Sequence, residues 1–542
     1  MAKNNKERKE RLSIYLAKDP SSSDSTTLKV ESAKPPIQLN LESLDSAILY
    51  IKKEPPKHSP PWTKLFTSRP EIYEGAFGQS STVGAALVVQ HRGAKFILTF
   101  GSGFHLLQGE HIERDFGLRV TLNSVAPDKL RSLDKASYDH NPLNSRTQST
   151  KEVDIFDLHI DSETEMLYAV TGTSTVECFG SQVTGRDALT LIVSMSLDGL
   201  AEILQEALSR YKQKLPENFE WVDNISRIRD STICQVLDLE LEEVLAKQDF
   251  SRLWLGEPEV VDWENQVGYS FDMWPKTPRH VVLDIDDLHE YLTAKALPFT
   301  VESLHSVGVY INNNEYKEIK SWSAYRCLYA ELSVGGEEYI LRNGTWYKVD
   351  KNFVDRIDRS LSDLKNYEHS LPIYSFDTEG EYNENVSTLD PSYHLMDKKN
   401  IHIGGIYDKI EFCDLVKDWK DFIHVKYYRS SSTLSHLFAQ GCVSAEIFIR
   451  DQEFREKVNN KMPAGLKLAD AKEMPDARSY QVIYAIATDK SIPEDLPFFA
   501  KVTLKNSIKS LRALGYSVKI SKIDVDPAVR LKKKIKPQKA KP

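Results

Sequence analysis

The stretch KIEFCDLVKDWKDFIHVKYY, residues 409–428, decides the fold of the C-terminal part of this chain. Two segments in it, Lys409–Val416 and Asp421–Tyr428, are rich in β-branched and aromatic residues, which favour strands. A short polar segment separates them, as between neighbouring antiparallel strands. The sequence therefore predicts a strand pair at this point.

Three chemically active side chains lie on the predicted strand pair. Asp414 falls near the end of the first strand, and His424 and Lys426 are two residues apart on the second. Because side chains alternate across a strand, His424 and Lys426 share one face, and Ile423 and Val425 share the other. A carboxylate, an imidazole and an ammonium on one buried strand pair indicate a functional site.

The flanking sequence predicts the remaining elements in order. EGEYNENVST is a candidate acidic helix that carries Glu381 and Glu384, and YHLMDKKNIHI is a candidate first strand. Ser430–Ser432 offers N-caps to a helix from about Thr433 to Phe448. Gln440 lies on that helix, four residues after His436 and therefore on the same face. A strand, a helix and a last strand follow: RSYQVIYAIATD, LPFFAKVTLKNSIKSLRALG and YSVKISKI.

The order helix, three strands, helix, strand, helix, strand resembles the core of the PD-(D/E)xK nuclease superfamily. That resemblance implies an α/β restriction-endonuclease-like core, in which carboxylates hold a divalent metal, Mg²⁺ or Mn²⁺. It implies metal ligation by Asp414 together with Glu381 or Glu384. It also implies catalytic roles for four residues of this sequence: Asp414, His424, Lys426 and Gln440.

The sequence departs from that pattern at His424, which stands where the superfamily has Glu or Asp. Magnesium prefers oxygen ligands, and imidazole suits it less well. Three alternatives follow: Glu381 or Glu384 supplies the missing carboxylate, manganese is used, or the site is inactive. A fourth interpretation is that Asp414 and Lys426 form a simple cross-strand ion pair.

Nearly the whole chain also resembles an uncharacterised, sporadically distributed family of prokaryotic proteins. The shared segments are FGLRV at Phe116–Val120, IEFCDL, FIHVK, and LSHLFAQG followed by SAE. Such proteins are linked to mobile and defence gene clusters. This resemblance implies a biological setting and no particular chemistry.

The length of 542 residues exceeds what one core supports, and the pattern predicts a multidomain α+β protein. We expect an N-terminal α+β domain (1–215), a middle α+β domain (216–370), the nuclease-like domain (371–526) and a basic disordered tail (527–542). In the middle domain, CLYAELSVGGEEYILRNGTWYKVD predicts a three-stranded meander, since Asn-Gly between alternating strands is a type I′ turn.

Three local predictions concern the rest of the chain. STVGAALVVQHRGAKFILTFG predicts a hairpin, residues 136–150 a long polar loop, and VDIFDLHID a half-buried strand. The acidic group Asp284, Asp286, Asp287 and His289 is better explained by helix capping than by a metal.

Charge is distributed unevenly along the chain. Net charge is −9, but residues 391–542 carry 28 Lys and Arg against 18 Asp and Glu, and residues 1–390 carry 42 against 61. This asymmetry suggests an anionic partner for the C-terminal part. In the tail, four lysines are candidate phosphate contacts: Lys532, Lys533, Lys534 and Lys536.

The cellular setting is also constrained. Five scattered cysteines without CxxC spacing indicate neither a disulfide framework nor a zinc site. No apolar run reaches the roughly 20 residues that span a bilayer, and the basic N-terminus lacks an apolar signal core. We expect a cytoplasmic protein that does not bind membranes.

Together these features predict a metal-dependent endonuclease, a phosphodiester hydrolase, that acts on DNA in defence against phage or other foreign DNA. The N-terminal part would sense a trigger or regulate the nuclease, as a homo-oligomer or with a partner protein of a defence system. The alternatives are a non-catalytic nucleic-acid-binding or sensor protein on a degenerate nuclease fold, and a nuclease directed at RNA.

Overall fold

A computed structural model describes residues 9–529, except 55–56, 58, 60, 68, 74, 138–142, 195, 259–260, 262–266, 275, 314–316, 398–400, 402–409, 430 and 464–466. The chain forms two compact units. One comprises residues 1–136 and 144–222, and the other comprises 137–143 and 223–542. Within the described ranges, no helix is both long and apolar enough to cross a membrane. The lysines of the predicted tail lie outside the described residues.

The first unit is built on a sheet of ten strands: β1 Glu10–Leu16, β2 Ile37–Leu39, β3 Ser46–Ile51, β4 Gly84–His91, β5 Ala94–Gly101, β6 Val125–Ser137, β7 Asn144–Val153, β8 Glu165–Ser174, β9 Gln182–Gly185 and β10 Leu189–Val193. Their order in the sheet is β2-β3-β4-β5-β1-β10-β9-β8-β6-β7. The hairpin β4–β5 confirms the prediction for that segment, with Arg92 and Gly93 at positive φ in its turn.

Four α-helices accompany this sheet: α1 Asp24–Thr27, α2 Lys64–Thr67, α3 Phe116–Leu122 and α4 Leu200–Lys212. The apolar faces of α3 and α4 join the main core with Phe96, Leu189 and Leu191 of the sheet. The prediction of a loop over residues 136–150 is wrong at both ends of that segment. Strand β6 extends to Ser137, and strand β7 begins at Asn144. These strands are polar yet paired, and composition alone did not reveal the pairing.

The VDIFDLHID segment is also not a strand. Residues Ile155–Leu158 form one turn of 3-10 helix that buries Ile155 and Leu158 against the core. Alternation over so short a run therefore indicated the wrong element.

The second unit begins with two small sheets. One has five strands in the order β11-β18-β17-β16-β12, with bounds β11 Ile225–Arg227, β12 Leu253–Leu255, β16 Leu328–Val334, β17 Glu337–Arg342 and β18 Thr345–Val349. The other is β13 Gly268–Ser270, β14 Gly308–Asn312 and β15 Glu318–Ser323, in that order. The meander β16–β17–β18 confirms the prediction, and Asn343 and Gly344 both take the positive φ of a type I′ turn.

Five helices surround these sheets: α5 Ser231–Ala246, α6 Ile285–Ala294, α7 Val301–Ser306, α8 Ala324–Cys327 and α9 Lys351–Leu361. Asp284 is the N-cap of α6 and accepts a hydrogen bond from the amide of Asp286. Asp286 and Asp287 occupy the first turn, where carboxylates favour the helix dipole. The capping interpretation of this acidic group therefore agrees with the structure.

The last sheet has six strands in the order β19-β24-β23-β22-β21-β20: β19 Lys365–Asn366, β20 Tyr393–Leu395, β21 Leu415–Lys417, β22 Asp421–Tyr427, β23 Gln481–Ala487 and β24 Ser517–Ile523. Strand β21 is antiparallel to both β20 and β22. Strands β22, β23 and β24 run parallel, and β19 is parallel to β24. Strand β22 therefore lies at the boundary between the two pairing modes.

Four helices belong to this sheet: α10 Glu379–Leu389, α11 Ser431–Arg450, α12 Gln452–Lys461 and α13 Phe498–Leu514. On one face, Tyr382 and Val386 of α10 share a core with Ile423 and Val425 of β22. On the other face, Phe448 of α11 packs edge-to-face against Phe422 of β22, with ring centroids 5.2 Å apart. Both faces are covered, which explains the continuous apolar runs of β22 and β23.

The predicted elements occur in the predicted order, but helix α12 and the two-residue strand β19 were not predicted. Strands β22, β23 and β24 and helices α11 and α13 lie where the sequence placed them. The observed strand β21 is much shorter than the strand predicted for Lys409–Val416. Only Leu415–Lys417 pairs as β21, Ile410 forms an isolated bridge with Ile401, and residue 409 lies outside the described ranges. Of the proposed caps, Ser430 lies outside the described residues, whereas Ser431 and Ser432 belong to the first turn of α11.

Candidate functional site

Helix α10 turns Glu379 and Asn383 towards the sheet. Its first turn is fixed by a capping box, in which the Thr378 hydroxyl accepts from the Glu381 amide and the Glu381 carboxylate accepts from the Thr378 amide. Glu379 and Asn383 are four residues apart and so share one face of the helix. Asn383 is fully buried, whereas Glu381 and Glu384 are exposed.

This orientation differs from the predicted metal ligands. The Glu381 carboxylate closes its own helix terminus, and Glu384 lies on the exposed side of α10. The helix carboxylate that reaches strand β22 is Glu379.

Asp414 is anchored by hydrogen bonds from two sides. Its Oδ2 accepts from the backbone amide of Val425 at 2.6 Å, and its Oδ1 accepts from Nδ2 of Asn383 at 3.4 Å. The backbone amide of Asp414 donates to Ile423 at 3.0 Å. Asp414 is thereby fixed immediately before β21, beside the strand that carries Lys426.

Two further carboxylates join Asp414. Ligand oxygens of Asp397, Glu411 and Asp414 all lie within 4.8 Å of one another. The backbone of Asp397 contributes to this convergence, because its amide donates to the carbonyl of Asp414 at 3.0 Å. We call Asp397, Glu411 and Asp414 the acidic triad. Among the described residues, no other set of three or more carboxylate, imidazole or thiol side chains is spaced closely enough to hold a metal ion.

The electrostatics of the acidic triad favour a bound cation. Burial raises the pKa of Asp414 well above its usual value, and the negative charges of Glu411, Asp397 and Glu379 raise it further. The hydrogen bond from Val425 opposes this shift without cancelling it. A divalent ion would relieve the repulsion and favour the ionised carboxylates.

Lys426 is paired with Glu379. The Lys426 Nζ lies 2.8 Å from Oε2 of Glu379, and Oε1 of the same carboxylate accepts from the amide of Tyr427 at 3.1 Å. Glu379 thus binds both the side chain of Lys426 and the end of β22. The alternative interpretation paired Lys426 with Asp414 across the strands, but in the structure Lys426 pairs with Glu379 of helix α10.

His424 faces the layer of α11 and α13. It is 4% exposed, and its ring centroid lies 6.1 Å from that of Tyr484. The Tyr484 hydroxyl bonds the carbonyl of Phe438 and the hydroxyl of Ser507, on the two helices of that layer. Burial lowers the pKa of His424 to about 4, so the imidazole is neutral at pH 7. His424 is not among the residues that converge with Asp414 on a common metal position.

Helix α11 carries the remaining predicted site residues. His436 is exposed, and Gln440, one turn later, is half-buried. Partial burial lowers the pKa of His436, and the positive charge of Lys426 lowers it further. His436 therefore lies within electrostatic reach of the lysine.

A family model described as "Family of unknown function (DUF6119)" matches residues 12–524. The chain belongs to this family. No curated protein and no solved structure matches it.

Membership of DUF6119 confirms that nearly the whole chain corresponds to one uncharacterised family. It assigns no chemistry, so the site in this member of DUF6119 is defined by its geometry alone. The link to defence gene clusters and the nuclease resemblance stay predictions.

Four contributors to the site were missed in the sequence: Glu379, Asn383, Asp397 and Glu411. Glu379 and Asn383 could have been found in the sequence, because Thr378 and Glu381 have the spacing of a capping box. That motif fixes where α10 begins and therefore which of its residues face the sheet. For Asp397 and Glu411 no spacing rule applied, since irregular chain carries them to Asp414.

Proposed function

We propose that this protein is a metal-dependent nuclease that hydrolyses phosphodiester bonds in DNA. The observation that carries the proposal is the hydrogen bond between Asp414 and the amide of Val425. It places the acidic triad beside the strand residue that precedes Lys426. Metal-dependent hydrolysis of a phosphodiester uses this combination of oxygen ligands for the metal and a nearby cation.

The sheet supports a restriction-endonuclease-like core. Helix α10, the antiparallel strands β20 to β22, helix α11 and the parallel strands β23 and β24 follow the element order of the PD-(D/E)xK resemblance. The metal carboxylates differ from those expected, since Asp397 and Glu411 accompany Asp414 in place of Glu381 or Glu384.

The residues present fit a hard divalent ion. All three members of the acidic triad offer oxygen, which Mg²⁺ and Mn²⁺ prefer, and no thiol or imidazole joins them within the described chain. The buried Oδ1 of Asn383 has no hydrogen-bond partner among the described residues, although its amide group adjoins Asp414. Such an ion would polarise the scissile phosphate and acidify an attacking water.

The side chains around the acidic triad take distinct roles in this proposal. Lys426 would stabilise negative charge that develops on the phosphate oxygens. Glu379 would hold the Lys426 ammonium in place until the substrate enters. His436 and Gln440 would contact the substrate. His424 would support the packing of α11 and would take no part in catalysis.

DNA is the proposed substrate because positive charge is concentrated after residue 390. Lys532, Lys533, Lys534 and Lys536 would add contacts to phosphates. The acidic first unit would sense a trigger or restrain the nuclease, in a cytoplasmic defence against phage. RNA as the substrate is tested by the same cleavage assay, and we further propose that the protein acts as a homo-oligomer or with a partner protein of a defence system.

A non-catalytic nucleic-acid-binding protein is the second candidate. The observation that favours it is the ion pair of Lys426 with Glu379. In this pair the Lys426 ammonium binds a carboxylate, whereas catalysis would need it at the phosphate. In that case the site would bind nucleic acid without cleaving it.

Cleavage by the full-length protein tests the proposal. Supercoiled plasmid, linear duplex and RNA would be incubated with Mg²⁺, Mn²⁺ or EDTA. We expect metal-dependent cleavage of DNA by the wild type and by Glu384→Gln, an exposed carboxylate on α10. Asp414→Asn should lose it. Binding without cleavage under every metal condition would favour the non-catalytic candidate, and equal cleavage by Asp414→Asn would place the chemistry elsewhere.

A further inference from the structure

Helix α5 carries apolar side chains on two sides. Three leucines, spaced about one turn apart, are buried in a core of the second unit: Leu237, Leu241 and Leu245. Three other apolar side chains point away from that core and are 43%, 46% and 64% exposed: Ile233, Val236 and Leu239. A surface helix normally carries polar residues on its outer side. The outer side of α5 is therefore a candidate for contact with another molecule.

Six exposed residues of α5 form one stripe along the helix: Thr232, Ile233, Val236, Leu239, Glu240 and Glu243. Positions three, four and seven residues apart lie on the same side of a helix. Measured from Val236, the other members lie three or four positions away on both sides and seven positions away on one. We call these six residues the outer stripe of α5. Its near-symmetry about Val236 is the property that a self-complementary surface needs.

The two ends of the outer stripe differ in charge. Glu240 and Glu243 make its C-terminal end negative. At the other end, Arg229 is exposed just before the helix, and the carboxylate of the N-cap, Asp230, is already used to accept from the amide of Thr232. The helix N-terminus also bears the positive end of the helix macrodipole. The N-terminal end of the stripe therefore attracts carboxylates, and the C-terminal end supplies them.

This charge distribution favours a second copy of α5 in antiparallel orientation. With a two-fold axis at Val236, Ile233 of one copy lies opposite Leu239 of the other, because both are three residues from the axis. Arg229 lies opposite Glu243 for the same reason, since both are seven residues from it. In a parallel pair, the carboxylates of the two copies would instead lie side by side and repel each other. The charges therefore select the antiparallel pair.

The Glu243 carboxylate is accessible for such a contact. It pairs with Lys247 of its own helix at 3.0 Å, and the side chains of Glu243 and Lys247 are 65% and 70% exposed. Water screens exposed pairs of this kind, so the pair holds the carboxylate only weakly. Glu243 can therefore also accept from an arginine of a second copy.

We propose that the outer stripe of α5 is the interface of a two-fold homodimer, in which α5 of one copy packs antiparallel against α5 of the other. The dimer specifies the homo-oligomer proposed above and rests on that part of the proposed function, whereas metal and DNA play no part in it. A helix of 16 residues is about 24 Å long, so one helix pair buries less than the roughly 1,600 Å² of a standard interface. We therefore expect a reversible dimer that dissociates in the micromolar range.

Sedimentation velocity of the full-length protein, at roughly 1 to 200 μM and without metal or DNA, tests the inference. We expect the wild type to change from monomer to dimer over this range. Leu239→Glu should weaken the dimer by roughly 100-fold, because a two-fold interface contains the substitution twice and each buried leucine contributes roughly 10-fold. Leu239 is largely exposed in the single chain, so the variant should keep the Tm of the wild type.

Leu389→Glu provides the matched control. Leu389 is the last residue of α10 and is 66% exposed, against 64% for Leu239. The same substitution at nearly the same exposure should leave the dimer unchanged, because Leu389 lies outside the outer stripe. Equal self-association of the wild type and Leu239→Glu would overturn the inference, and so would a wild type that stays monomeric at every concentration.

Two charge variants test the antiparallel pairing itself. Arg229→Glu and Glu243→Arg each place like charges opposite each other twice per dimer, so each variant alone should dimerise roughly 10-fold more weakly than the wild type. An equimolar mixture of the two should recover most of the wild-type affinity, because both contacts of the mixed dimer then join opposite charges. A mixture that associates no better than the separate variants would exclude the antiparallel pair of α5 helices.

Discussion

Lys426 and Glu379 form an ion pair of 2.8 Å at the end of strand β22. Their side chains are 24% and 28% exposed, so water reaches both. Pairs with this degree of exposure contribute at most about 1 kcal/mol to stability. A phosphate group could therefore displace the Glu379 carboxylate from Lys426 at modest cost, and the pair would hold the lysine ready without blocking it.

Removal of the Lys426 ammonium should impair cleavage more than it impairs folding. We expect Lys426→Met to reduce metal-dependent cleavage by roughly 100-fold, the scale of one lost transition-state contact, and to change stability by at most about 1 kcal/mol. Single-turnover cleavage and urea unfolding measure the two effects. Lys457→Met, a surface lysine of α12, is the control. An unchanged cleavage rate in Lys426→Met would exclude a catalytic role for this lysine.

Substitutions in the acidic triad should weaken metal binding, whereas substitutions of the exposed carboxylates on α10 should not. Asp397→Asn and Glu411→Gln should each weaken Mn²⁺ binding by roughly 10- to 100-fold, because each removes an oxygen charge from the cluster. Glu381→Gln and Glu384→Gln should bind like the wild type. Calorimetric titration of the folded variants with Mn²⁺ measures this. The reverse ranking would restore the ligands expected from the sequence.

Metal affinity should rise with pH because of Asp414. Its pKa is raised in the folded protein, so the folded state favours the protonated carboxyl. The stability that this proton contributes is present below the unfolded pKa near 3.8 and is lost as pH rises through the raised value. Metal binding must release the proton, so Mn²⁺ titrations in buffers of different ionisation enthalpy should show proton release. Asp414→Asn should remove this release, and unchanged release would point to another group.

His424 should control acid stability and leave metal binding unchanged. Its pKa is about 4 in the folded protein and near 6.5 when unfolded. A lowered pKa gives stability that is present above pH 6.5 and lost as pH falls towards 4, by up to about 3 kcal/mol. His424→Gln cannot titrate, so its unfolding free energy should fall less than that of the wild type over this range. A loss of Mn²⁺ binding in folded His424→Gln would instead make His424 a ligand.

Glu331 should destabilise the protein at alkaline pH. It is 2% exposed on β16, and its Oε2 accepts from the Phe499 amide at the start of α13. Burial raises the pKa of Glu331 to about 7, so the stability of its protonated form is lost as pH rises from about 4.5 through 7. Glu331→Gln keeps an acceptor for Phe499 without charge. Urea unfolding should show it about 1–3 kcal/mol more stable than the wild type at pH 8, with no such gain at pH 5.

The backbone of the site was largely predictable from the sequence. Strand β22 and helix α11 were visible because β-branched runs and helical spacing are local patterns. The short pairing of β21 was not, since most of Lys409–Val416 is apolar without forming a ladder. Apolar composition shows that a segment is buried, and it does not show that its backbone is paired.

The partners of Asp414 required the tertiary structure. Asn383 reaches it because the capping box sets the rotation of α10, and a shift of one residue would have presented Glu384 instead. Asp397 joins it through a backbone hydrogen bond to the Asp414 carbonyl, next to the paired strands β20 and β21. Neither relationship follows from spacing along the chain.

The two-residue strand β19 has a practical consequence for any attempt to study the six-stranded sheet in isolation. β19 precedes α10 in the chain but pairs with β24, the last strand. A fragment that begins at residue 371, the expected domain boundary, would leave that side of β24 without its partner, and unprotected strand edges promote aggregation. Helix α9 adds a contact, because Asp358 pairs with Lys501 of α13 at 2.9 Å. A fragment designed to remain monomeric should therefore begin at or before Asp350, the N-cap of α9.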